Sequence, residues 1–256
     1  MSELLTVELL EDGAIRRLVF GNTPGNILDH ATLRALTEDL MEARKNESLK
    51  GIILEGAGEH FSYGASVVEH LPDDVQPMLA AVRQLVLTIL DMHVVTIAVV
   101  RGRCLGGGLE LASVCHRIVA SKDATFAQPE IALGAFAPVA SIVLPGRIGR
   151  GAAEDLCITG RTVEAKEAQA MGLIDEVAPG DPLDAAMAWA RARLLPRSAR
   201  SLRYAVQAVR LSLTTTVQRD LPELERLYLD GLMKTEDAIE GVRAFLEKRA
   251  PVWTNE

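Results

Sequence analysis

The apolar run from Val94 to Val100 leads directly into Arg101-Gly102 and, four residues on, a glycine triplet, Gly106-Gly107-Gly108, with Leu109-Glu110 behind it. A short, continuous apolar stretch bounded by glycine reads as a buried strand, and glycines before an apolar periodic segment read as a turn that opens a helix. The run is too short to span a bilayer. The chain must therefore bring a buried strand, a tight backbone turn and a helix start to one point, with a carboxylate on the first helical turn.

A similar order occurs earlier. Gly51-Ile52-Ile53-Leu54-Glu55 reads as a buried strand ended by Gly56-Ala57-Gly58, and Phe61-Ser62-Tyr63-Gly64-Ala65-Ser66 supplies a second glycine turn. Gly64 and Gly107 hold matching places 43 positions apart (107 − 64), so the pattern is taken as a repeated supersecondary unit. Around it, Thr6–Leu10 and Ile15–Phe20 flank Glu11-Asp12-Gly13 as a hairpin. Asn22–Asn26 is a loop, and Asp29 caps an amphipathic helix from His30 to Lys45. A further helix covers Val75–Met92. Short strands are expected at Arg117–Ala120 and Leu173–Val177, with helices at Gly108–Cys115 and Glu164–Met171. The strands and helices together give an α/β class. From Leu183 onward the pattern is helical, in four segments: Leu183–Leu195, Ser198–Ser212, Thr216–Met233 and Glu236–Arg249. With no sheet left to cover, these should pack on the core or on another subunit. The division is residues 1–195 as the core that carries the site and 196–256 as a helical oligomerisation region.

With 256 residues, 48% of them apolar, the chain can bury a full core. Its three cysteines, Cys104, Cys115 and Cys157, lack C-x-x-C spacing, which suits a reducing cytoplasm and no disulfide. No basic start followed by an apolar run marks a secretory signal. A net charge of −8 argues against a general nucleic-acid binder. One anionic ligand could still be held by the basic segment Arg243–Arg249, which otherwise reads as a solvated helix face.

The chemistry lies in a pair of glutamates. Glu130, in Gln128-Pro129-Glu130, follows Glu110 by twenty positions. Two carboxyls and two glycine-turn N–H groups are the parts needed to add water to an enoyl thioester, where charge develops on the carbonyl oxygen. The N–H groups of Ala65 and Gly107 suit an oxyanion hole. Glu110, one turn inside its helix, should stay ionised and take the proton of water. Glu130, in an apolar stretch, should have a raised pKa and protonate the α-carbon. Tyr63, His70 and Phe136 are candidates for the acyl pocket. The glycine triplet alone would equally serve close strand-to-helix packing. A P-loop, a dinucleotide fingerprint and a G-x-S-x-G elbow are all missing, and the histidines lack metal-site spacing, so no metal is assigned.

At these residues the sequence resembles the crotonase, or enoyl-CoA hydratase/isomerase, superfamily. The likeness rests on Gly64-Ala65, on Leu105-Gly106-Gly107-Gly108 before Glu110, on Phe126–Glu130 and on the ending Glu240–Arg249. It implies a spiral of ββα units with a helical trimerisation region, in a trimer or a hexamer made of two trimers. Ala65 and Gly107 would be the oxyanion-hole amides, and Glu110 and Glu130 the hydratase pair. Coenzyme A would enter as the substrate's handle, with no cofactor. Asn26 and Ile27 would pass its nucleotide, and Phe245 and Lys248 would reach a neighbouring subunit's coenzyme. The segment Phe61–His70 resembles the branch of the family that hydrates a cyclic dienoyl-CoA. Straight-chain hydration, isomerisation, thioester hydrolysis and RNA binding are the alternatives. The retention of both carboxyls favours hydration, and the acidic balance disfavours RNA. Three places depart from the usual pattern: Ser66, His116 and Ala135–Ser141 stand where the family has aspartate, aspartate and a glycine-rich turn.

Overall fold

The computed structural model describes residues 4–21 and 25–256; positions 22–24 of the expected Asn22–Asn26 loop lie outside them. Its centre is set by strands whose residues are buried on both faces, β3 (Gly51–Gly56) and β4 (Val95–Val100). Continuous Val/Ile/Leu runs of this kind belong in a parallel sheet covered on each side. β3 pairs in parallel with β2 (Ile15–Phe20) and β4, and β4 pairs in parallel with β6 (Arg117–Ala120). β1 (Leu5–Leu10) adds antiparallel to β2, and β9 (Glu176–Val177) lies beyond β6, giving the order β1-β2-β3-β4-β6-β9.

Successive strand residues point to opposite faces, so even and odd positions enter different cores. Leu18, Ile52, Leu54, Ala98 and Ile118 pack under α1 (His30–Ala43), α2 (Val75–Asp91) and α3 (Gly107–Ser113). Ile15, Ile53, Val95, Ile97, Val99 and Val119 form the opposite core with Ala186, Met187 and Ala190 of α7 (Pro182–Arg193). The expectation that the C-terminal helices have no sheet to cover therefore fails for α7, which closes the second face. Asp29 accepts from Thr32 N at 2.8 Å and starts α1 as expected.

Three short strands make a second sheet: β5 (Arg103–Leu105) and β7 (Thr125–Ala127) in parallel, and β8 (Val163–Glu164) antiparallel to β7. The large sheet feeds it repeatedly, β4 into β5 and β6 into β7. Of the two copies read from the sequence, the second is β4 into β5, and the first, after β3, is reduced to a single bridge, Ser62 to Cys104. Helices α4 (Pro138–Ile148), α5 (Arg150–Thr159) and α6 (Ala165–Ala170) follow. The sequence reading missed α4 and α5, whose proline and glycine content hides their periodicity.

The two helices expected at Ser198–Ser212 and Thr216–Met233 are one 28-residue helix, α8 (Ala199–Arg226). The threonines at 214–216 have modest helix propensity, but an unbroken stripe of Val206, Arg210, Val217 and Leu221 overrides it. A π-helical turn, Leu227–Gly231, and α9 (Glu236–Leu246) complete the chain. Among the described residues no helix is long and apolar enough to cross a membrane.

Candidate active site

Three segments leave the second sheet in the same direction, side by side. Leu105 N donates to Ser62 O at 2.9 Å, and Gly106 N donates to Ala127 O at 2.9 Å. After Ser62 comes the Gly64-Ala65 turn. After Leu105 comes α3, with Glu110 five residues on; after Ala127 comes the 3-10 helix Pro129–Leu133, with Glu130 three residues on. Strand register therefore fixes which groups meet.

Glycine is required where they meet. Gly64 takes φ 101°, and a Cβ there would lie 2.9 Å from Leu105 O and 3.2 Å from Gly107 N. Gly106 takes φ 51°, and its Cβ would stand 2.7 Å from Glu130 Oε1. Side chains at either place would be strained and would displace the turn or the carboxyl. A Cβ on Gly107 would lie 3.1 Å from Ala65 N, so these two residues are in contact. Among the described residues, neither the Ala65 nor the Gly107 N–H donates to another protein group. Gly107 opens an α-helix as expected. Ala65 does not: a 3-10 turn, Val68–His70, follows it and α2 begins only at Val75, so its amide gains no α-helix dipole.

Ala65 and Gly107 line one cavity with Glu110, Glu130, His70 and Phe136. Glu110 is 6% exposed, and its Oε1 accepts from Ala140 N at 2.9 Å, at the start of α4. Burial raises its pKa to about 6, against the pull of the Ala140 and Val139 N–H groups. Burial, with the Glu110 charge added, pushes Glu130 up to about 8. The two carboxyls share one cavity and titrate as a pair, and the direction is clear: the proton resides on Glu130 first. With its amide nitrogen turned toward the acceptors, Gln128 donates to the Glu130 carboxylate at 3.1 and 3.2 Å.

His70 is buried, which lowers its pKa, and its Nδ1 lies 2.8 Å from Ser66 O. Phe136 packs on Tyr228 with ring centroids 5.1 Å apart. Tyr63 is not brought to the cavity. It follows the fully buried Ser62 and so faces the other way, its ring tilted against that of His60 with centroids 5.1 Å apart and the Arg103 guanidinium 5.4 Å from its centre. Asn26 is also buried, with Nδ2 donating to Ala57 O at 2.8 Å and His60 O at 2.7 Å. Its side chain thus anchors the loop that leads to Ser62. Ile27 is half-buried next to Leu28, whose N–H donates to Gly64 O at 2.9 Å. Phe245 and Lys248 are exposed at the end of α9 and are not among the residues that line this chain's cavity. In the basic segment, Arg249 is held by Glu240 and Glu247.

Sequence reasoning missed much of the wall. Met78, Leu79, Val82 and Arg83 come from α2, and Leu221, Glu225 and Tyr228 come from α8 and the π turn behind it. Their signal was the apolar stripe of each helix, which ordinary core packing explains equally well. The region assigned to oligomerisation thus also forms part of the cavity.

Residues 13–256 match the family model described as "Enoyl-CoA hydratase/isomerase". The chain is 43% identical over 254 residues to the cyclohexa-1,5-dienecarbonyl-CoA hydratase of Thauera aromatica, covering 99% of this chain and 98% of that protein. It is 33% identical over 242 residues to a probable enoyl-CoA hydratase of Mycobacterium tuberculosis, covering 90% of each. The solved structure of an enoyl-CoA hydratase from Mycobacterium avium subsp. paratuberculosis K-10 matches with a TM-score of 0.86 at 25% identity, over 98% of this chain and 99% of that one. With its α/β spiral, its paired glutamates and these relatives, the chain belongs to the enoyl-CoA hydratase/isomerase family.

Proposed function

We propose that this protein is an acyl-CoA hydratase that adds water to a conjugated enoyl- or dienoyl-CoA thioester, with cyclohexa-1,5-diene-1-carbonyl-CoA as its substrate. The observation that carries the reaction is the meeting of Glu110, Glu130 and the N–H groups of Ala65 and Gly107 in one cavity. The Thauera aromatica relative supports the substrate.

The thioester carbonyl accepts from the Ala65 and Gly107 amides, which stabilise the negative charge that grows on its oxygen. Glu110, the more acidic of the pair, removes a proton from water as the oxygen bonds to carbon. Glu130, the group that keeps its proton, delivers it to the carbon end of the resulting enolate or dienolate. One water is consumed, Glu110 gains a proton, Glu130 loses one, and exchange between them or with solvent restores the start. Proton transfer and fixed dipoles suffice for this reaction, so neither a metal nor a redox cofactor is assigned. Phe245 and Lys248 serve the coenzyme of a neighbouring subunit, and Asn26 and Ile27 shape the backbone along which it passes. Residues 196–256 assemble the chain into a trimer or a pair of trimers in the cytoplasm.

The test is to incubate the pure protein with crotonyl-CoA and with the cyclic dienoyl-CoA side by side. Hydration of both with preference for the ring is expected. Preference for the straight chain would overturn the substrate, and hydration of neither would overturn the reaction.

A further inference from the structure

His70 lines the cavity with both amides and both glutamates, and the backbone beside it fixes its chemistry. Its Nδ1 lies 2.8 Å from Ser66 O. A carbonyl oxygen only accepts, so Nδ1 carries the hydrogen, and the bond that one ring nitrogen makes decides the state of the other. Burial lowers the pKa of the ring and keeps it neutral. Nε2 is therefore a bare acceptor. It has no protein partner among the described residues and, unlike the equally unpartnered Nε2 of His116, it is not walled in. The two nitrogens face away from each other across the ring, so Nε2 points away from the Ser66 carbonyl. Met78, Leu79, Val82 and Phe136 line the same space and offer no donor.

The proposed reaction brings one. Water carries two hydrogens, and Glu110 removes only the first; the second stays on the oxygen and ends as the hydroxyl hydrogen of the product. By then Glu110 holds a proton and is itself a donor, while Glu130 stands at the α-carbon. A neutral nitrogen with a free lone pair is the group suited to that second hydrogen. Its position is held from the backbone: Ser66 directly follows Ala65, and His70 N donates to Val67 O at 3.1 Å within the same short turn.

We propose that Nε2 of His70 accepts the hydrogen that stays on the reacting oxygen, holding first the water and then the product hydroxyl without itself taking a proton. This rests on the reading of the cavity as a hydratase site. An acyl group without a hydroxyl leaves the acceptor unsatisfied, so the hydroxylated ester is bound in preference to its deoxy counterpart.

The test compares calorimetric affinities for 3-hydroxybutanoyl-CoA and butanoyl-CoA in the full-length wild type, His70→Asn and His70→Gln. Asparagine can keep the bond to Ser66 O while removing the acceptor at the Nε2 position; glutamine can place an amide oxygen there. The wild type should favour the hydroxy ester. His70→Asn should reduce that preference about tenfold, the worth of one hydrogen bond whose partner is lost, and His70→Gln should retain most of it. No preference in the wild type, an unmoved ratio in a His70→Asn protein that melts like the wild type, or equal loss in both variants overturns the proposal. Nitrogen-15 NMR of histidine-labelled wild type decides the same point should a variant not fold. Nε2 of His70 should be free of hydrogen, and its signal should move with the hydroxy ester and stay in place with butanoyl-CoA; a hydrogen on Nε2, or equal movement with both, overturns it too. Wild type that binds both esters but hydrates no enoyl-CoA would sink the proposed reaction while leaving the His70 contact readable, and wild type that binds neither sinks both.

Discussion

The two sides of the cavity are built on different principles. One side is backbone: the Ala65 turn, the start of α3 and the Gln128–Glu130 turn, aligned by hydrogen bonds between short parallel segments. The other is side chain: α2 and α8, distant in sequence, facing each other with apolar residues and the Arg83–Glu225 ion pair. A group positioned by strand register has little freedom to drift, and a one-residue shift there would turn every side chain to the opposite face. A helix wall tolerates substitution, provided volume is kept. Reaction chemistry therefore belongs to the first side and acyl selectivity to the second, and variants on the two sides should fail in different ways.

The largest effect should come from the carboxyls. Glu110→Gln and Glu130→Gln should each lower kcat by about 10²–10⁴-fold, the usual worth of a general acid or base, followed as loss of the conjugated thioester absorbance. If both stay within a few-fold of wild type, the assignment fails. Next is Gly106→Ala, whose methyl would collide with Glu130 Oε1. Misplacing a reacting group by about 1 Å can cost roughly 10²-fold in rate, so kcat should fall far more than KM rises; a change confined to KM would place Gly106 outside the chemical side.

Leu221→Ala breaks the other side. It removes a buried side chain that lines the cavity and should cost about 2–5 kcal/mol in a denaturant titration, with the acyl preference shifting more than kcat for a short substrate. A loss of kcat equal to that of Gly106→Ala would erase the distinction between the two sides. The gentlest probe is pH. Glu110 must be ionised, so kcat/KM should fall as pH drops below about 6. Glu130 must hold its proton, so it should fall again as pH rises above about 8. The bell reports the pair as a unit; a rate that climbs steadily through pH 9 would remove Glu130 as the acid.

The same contrast decides what the sequence made legible. Glycines forced by positive φ and a carboxyl at a fixed offset from a strand end leave marks in the chain itself, so Gly64, Gly106, Glu110 and Glu130 could be picked out. The hairpin and the central strands were equally plain from their apolar runs. A cavity wall made by helices carries no such mark: Leu221 and Val82 look like any core residue, and nothing local joins Arg83 to Glu225. Tyr63 was misread because its neighbour Ser62, not Tyr63, takes the inward position of the bridge. The break expected near residues 213–215 followed threonine propensity, which the continuous buried stripe of α8 outweighs.

The most direct measurement is a crystal structure of the protein with 3-hydroxybutanoyl-CoA, the hydrated product of crotonyl-CoA. The thioester oxygen should sit within hydrogen-bonding distance of the Ala65 and Gly107 nitrogens. The Glu110 carboxyl should lie on the new hydroxyl, and the Glu130 carboxyl against the α-carbon. A thioester bound elsewhere, or product bound here with either glutamate turned away from it, would contradict the account.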